Sequence, residues 1–108
     1  MKKQPEERFI VEVTATDDIV CLGPQSRKQR IRLADLAAVY FETNDDSLFG
    51  FDWWLLKDKS AEIAVAFPLG ATGEDSVLER LRLLPGFKID GMNSTHRARF
   101  IFWEAPTT

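Results

Sequence analysis

Residues able to do chemistry are few in this chain, and they stand apart. There is one histidine, His96, and one cysteine, Cys21. Nucleophilic catalysis of the Ser-His-Asp or Cys-His kind needs a base held against its nucleophile. His96 lies in "STHR", ahead of the last apolar stretch, and reads as a loop or capping residue. Cys21 lies between Val20 and Leu22, a setting that predicts a buried, inert thiol. One His and one Cys are too few for a zinc site. Asp45, Asp46 and Asp52 are neighbours, but their spacing is not that of a calcium-binding EF-hand loop. Glu42 and Asp52 are the carboxylates that an acid–base pair would use, and that role requires a deep pocket around them. The expectation is a protein that is not an enzyme, with no catalytic residue, no metal and no cofactor.

What remains is surface. Tyr40, Glu42, Asp45, Asp46, Asp52 and Trp54 fall in one hairpin-like stretch that is aromatic and acidic. Such a surface suits a basic partner by complementary potential, and Trp is favoured at interface centres. Lys28, Arg30 and Arg32 in "SRKQRIR" put cations at every second position, on one face of a strand. The stretch loosely resembles the Lys-x-Arg-x-Arg signature of lipid-binding pleckstrin-homology domains, which implies an anionic ligand at these three residues. The same alternation arises on any solvated antiparallel strand, where Lys and Arg discourage edge aggregation. "GATGED" opens a helix with two glycines. It lacks the pattern of a phosphate loop, and Glu74 and Asp75 would repel an anion there.

These residues must be positioned by a single domain, since the chain has 108 residues. The core is expected over about residues 8–104, with loose ends at 1–7 and 105–108. A formal charge of −3 argues against a general nucleic-acid binder. No apolar run reaches the roughly 18 residues of a membrane span, so stable insertion is not expected. "MKKQPEERF" has no apolar signal region, and the lone cysteine fits a reducing compartment, so a cytoplasmic protein is expected.

Six stretches alternate with period 2. They are "RFIVEVT", "IVCL", "KQRIRL", "AVYFET", "FDWWLLK" and "AEIAVAF". Gln29, Ile31 and Leu33 should face the core while Lys28, Arg30 and Arg32 face water. Val39 and Phe41 should point inward, as should Ile63, Val65 and Phe67 together. "ADL" predicts a short helical turn. After Pro68 the period becomes 3.6, with Val77, Leu78, Leu81 and Leu84 in one stripe. Thr72 and Asp75 suggest a capping box, and Pro85-Gly86 a stop. "ARFIFW" closes the chain as a strand, with Ala98, Phe100 and Phe102 opposite Arg99, Ile101 and Trp103.

This order predicts an α+β fold: a curved antiparallel sheet or partly open barrel of about six to seven strands, closed by one helix. A pleckstrin-homology-like arrangement is the preferred version, by analogy alone. Trp53 and Trp54 fall on opposite faces of their strand. Trp54 either packs beneath the helix or the Phe87 segment, or stands exposed as an anchor. The last strand, Arg97 to Trp103, could pair within the fold or across a homodimer.

Three stretches together resemble a family of small, mostly uncharacterised bacterial proteins: "FGFDWWLL", "PLGATGEDSVLERLRLLPGF" and "MNSTHRARFIFW". The shared features are a W-L-L strand, a P-x-G-A-x-G-E helix start, an L-P-G-F stop and an F-x-x-W ending. The resemblance implies a bacterial cytoplasmic origin and carries no catalytic residue. The expected function is a protein-interaction module, in its most concrete form a regulatory or toxin-immunity-type protein. The rival is a small-ligand or anionic-lipid binder.

Overall fold

The computed structural model describes residues 8–24, 27–43, 52–88 and 98–106. Among them the chain forms an α+β fold of seven strands and one α-helix. β1 (Ile10–Val13), β2 (Asp18–Leu22) and β3 (Lys28–Arg32) make one antiparallel sheet, in the order β1-β2-β3. β4 (Leu36–Thr43), β5 (Trp53–Asp58), β6 (Ile63–Pro68) and β7 (Ala98–Glu104) make a second, in the order β6-β5-β4-β7. A 3-10 turn, Leu33–Asp35, carries the chain from one sheet to the other. The two sheets are not joined into a closed barrel. The helix α1 (Glu74–Leu81) falls between β6 and β7 in the chain and packs on β1.

Period-2 patterning accounts for the shared core. On β3, Ile31 is buried while Lys28, Arg30 and Arg32 are exposed. Val39, Phe41, Trp54, Leu56, Val65 and Phe67 project from the second sheet and are fully buried. Val11, Ile19 and Cys21 meet them from the first sheet, and Val77 and Leu81 from the helix. Leu78 and Leu84 are partly buried against the same core. Each large side chain buried this way contributes roughly 1.5–3 kcal/mol.

Alternation fails where the ladders slip. The β4–β7 register moves from Val39↔Trp103 to Tyr40↔Ile101, so Phe102 is an extra residue on β7. Phe102 and Trp103 are therefore both buried, whereas strict alternation places Trp103 outside with Arg99 and Ile101. On β6 the register passes from Leu56↔Val65 to Lys57↔Ile63, leaving Ala64 as the extra residue. Ile63 is thereby exposed and does not join Val65 and Phe67 in the core.

The helix start also differs from the capping-box expectation. Gly73, not Thr72, is the capping residue, with a left-handed φ of 87° and no side-chain cap. Thr72 instead bridges to the first sheet: Val11 N–H donates to the Thr72 carbonyl (2.8 Å), and Thr72 N–H donates to the Phe9 carbonyl (2.8 Å). That contact brings Gly73 so close to β1 that a Cβ there would lie 2.1 Å from the Val11 carbonyl oxygen. Only glycine meets both demands.

Candidate functional site

Trp54 is a core residue. It is fully buried, with its ring edge-on to Phe41 (centroids 4.8 Å apart) and Phe102 (5.3 Å). Its indole N–H donates to Glu74 Oε2 at 2.9 Å, so its one polar atom is satisfied inside the fold. This corrects the reading of Trp54 as an exposed anchor: its neighbour along the strand takes the outward place. Trp53 is half-buried and meets the Phe9 ring edge-on at 5.6 Å.

Tyr40 and Glu42 lie on the outer face of the second sheet, and one residue ties them together. Arg99, paired with Glu42 across the β4–β7 ladder, donates Nε–H and Nη2–H bonds to Glu42 Oε2 at 2.9 and 2.7 Å. Its guanidinium also stands 5.5 Å from the Tyr40 ring centre. The Glu42 carboxylate is thus neutralised within the fold and is committed to Arg99. Asp52 is half-buried, and its backbone carbonyl accepts the Leu69 N–H (2.8 Å). Asp45, Asp46 and His96 lie outside the described residues.

The ladder registers also reveal a row that the strand patterns do not show. Ala66, Leu55, Tyr40 and Ile101 are cross-strand neighbours on β6, β5, β4 and β7. Leu55 and Tyr40 are half-buried and Ile101 is 55% exposed. Beside this row, Ala38, Tyr40, Lys57 and Glu104 line part of a shallow depression of about 410 Å³. Ile101 is visible in the sequence as an outward position. Its alignment with Tyr40 and Leu55 depends on the bulge at Phe102.

On the first sheet, the basic strand does not present three free cations. Asp18 is 3% exposed and accepts hydrogen bonds from Arg30 Nε–H (2.8 Å) and Nη2–H. Arg32 Nε stands 3.9 Å from the other Asp18 oxygen, too far for a hydrogen bond. Lys28 is in no ion pair among the described residues. Asp18 reads as a turn residue in the sequence, because its pairing with Arg32 appears only once β2 and β3 are in register.

Desolvation shifts the acidity of two groups, the buried Cys21 and the half-buried Glu74. Burial pushes the Cys21 thiol up to about 11, which suits an inert side chain. Its S–H points to the Ala66 carbonyl at 3.8 Å. Glu74 is raised above the ordinary carboxylate range, chiefly by desolvation, with the Gly70 and Trp54 donors pulling the other way. Among the described residues, no group of three His, Cys, Asp or Glu side chains is placed to hold a metal ion.

The motifs behind the sequence resemblance meet in the core. The Trp54–Glu74 bond joins the W-L-L strand to the helix start. Trp103 Nε1–H donates to the Pro85 carbonyl at 2.8 Å, and Phe87 packs edge-on to Phe102 at 6.1 Å, joining the helix stop to the last strand. Comparisons with family models, with curated proteins and with solved structures return no match.

Proposed function

We propose that this chain is a non-enzymatic bacterial module that binds another protein through the outer face of the β6-β5-β4-β7 sheet. The reading rests on the aligned row of Leu55, Tyr40 and Ile101, which leaves a large aliphatic side chain 55% exposed beside an aromatic one. An apolar centre with a charged rim is the anatomy of a protein interface, and here Arg99, Glu42 and Lys57 supply the rim. The rim carries both signs, so the proposed partner is complementary in shape more than in net charge. A regulatory or immunity-type role is the concrete form of this proposal. The pleckstrin-homology-like arrangement belongs to the same proposal and supplies no site.

The lipid-binding alternative at Lys28, Arg30 and Arg32 has less behind it, because Asp18 already engages Arg30.

The test compares capture of partners from native cell extract by the wild type and by Ile101→Asp. The expected result is a protein retained by the wild type and lost with the variant, at unchanged melting temperature. Equal capture by both, or no capture by either, counts against the reading.

A further inference from the structure

We propose that the outer face of the β1-β2-β3 sheet is a contact between two copies of this chain, related by a two-fold axis running along β2. The argument starts from register. Ile10, Leu22 and Lys28 form one cross-strand row, and Glu12, Val20 and Arg30 form the next. Ile10 is 44% and Leu22 41% exposed, and together with Val20, Glu12 and Lys28 they line a groove of about 270 Å³. Over these two rows the face is therefore aliphatic in the middle, acidic on the β1 side and basic on the β3 side, and the next β2 residue on it, Asp18, is buried and bonded to Arg30.

That pattern is complementary to itself in one orientation. A two-fold axis parallel to the strands lays β1 of one copy over β3 of the other and keeps each row level. Leu22 and Val20 then meet their own counterparts, and Glu12 faces Arg30 of the second copy, whose charge Asp18 already offsets. Lys28 of the second copy, one row away, reaches the same Glu12, while its apolar stem covers Ile10. An axis across the strands would instead lay β3 on β3, setting Lys28 of each copy against Arg32 of the other, which electrostatics disfavours. Sheets packed face to face with nearly aligned strands are a standard arrangement, offset by roughly 30°.

The groups are ready for this contact. Arg30 is taken up by Asp18, whereas Glu12 and Lys28 are in no ion pair among the described residues, so the charge pair this contact creates is Glu12 with Lys28. A three-stranded face is small, so the dimer belongs to the weak class, forming at roughly 1 mM and dissociating by roughly 10 µM. This contact lies on the other sheet from the proposed partner face and stands independently of it.

The experiment is sedimentation equilibrium of wild type, Glu12→Lys, Lys28→Glu and the double swap, each verified as folded by its melting curve. Each single change should weaken the dimer about tenfold, since symmetry makes every reversal count twice. The double swap should recover much of the loss, since it re-forms the 12–28 pair with exchanged signs beside an Arg30 whose charge Asp18 already offsets. A wild type that stays monomeric at the highest concentration overturns the proposal, as does a double swap no better than the single changes. A dimer broken by Ile101→Asp but untouched by Glu12→Lys would place the contact on the second sheet and overturn it equally.

Discussion

The two sheets meet along two seams, and the seams are closed by different means. At one, backbone meets backbone: Thr72 exchanges hydrogen bonds with Phe9 and Val11, and Glu74 reaches from the adjoining helix start to Trp54. At the other, β3 lies beside β6 without a shared ladder, and side chains replace it. Gln29 Oε1 accepts the Ala66 N–H at 3.1 Å, and the Cys21 S–H points to the Ala66 carbonyl. The first seam demands close approach and therefore a residue without a Cβ, which is Gly73. The second tolerates a wider gap and demands only that the exposed β6 edge finds partners. A backbone seam should thus be intolerant and stiff, and a side-chain seam tolerant and able to open.

Substitution at Gly73 should show the largest difference. Gly73→Ala places a methyl group into the Val11 carbonyl and strains a left-handed φ. A loss of about 3 kcal/mol or more is expected in thermal or urea unfolding, which would leave little of a small domain's stability. A loss below about 1 kcal/mol would mean that the seam can move aside.

Gln29→Leu tests the other seam. It removes the acceptor for Ala66 N–H and should cost about 1–2 kcal/mol. Cys21 gives a second readout at the same place. Its buried, high-pKa thiol should react slowly with a thiol reagent in the native wild type. Gln29→Leu should speed that reaction severalfold while Gly73→Ala, compared at equal global stability, should not. Equal acceleration by both would erase the distinction.

The smallest effect should come from Glu74→Gln, which keeps an oxygen acceptor for Trp54 and Gly70 but removes the charge. Desolvation raises the folded-state pKa of Glu74 above its unfolded value. Its stabilising contribution is then complete below the unfolded pKa and is lost as pH rises through the folded pKa. Wild type and variant should have closely similar pH dependence at low pH, and the wild type should fall behind as pH rises towards neutrality. A wild-type advantage that grows with pH would show that the helix-start attraction outweighs burial.

Much of this architecture is legible in the residues. The wet and dry faces of "KQRIRL", the inward Val39 and Phe41, and the change of period after Pro68 follow from side-chain chemistry repeating at strand or helix spacing. The bulges are not legible. Nothing in "ARFIFW" marks Phe102 as the extra residue, because the slip is set by what β4 presents opposite it. Nor does "GATGED" declare that Thr72 bonds to β1 and that Glu74 accepts from Trp54, since those partners lie far away in the chain. The proposed site was half visible. Tyr40 and Glu42 stand out by type, while Arg99 and Ile101 join them only through the β4–β7 ladder.

Local periodicity was enough to define the strands, the helix and most of the buried set, because burial imposes a repeat that each segment carries alone. Tertiary pairing decided the rest: which tryptophan is enclosed, which charges are cancelled, and which outward residues stand in line. Those outcomes depend on register between distant segments, and a slip of one residue turns a side chain from core to solvent.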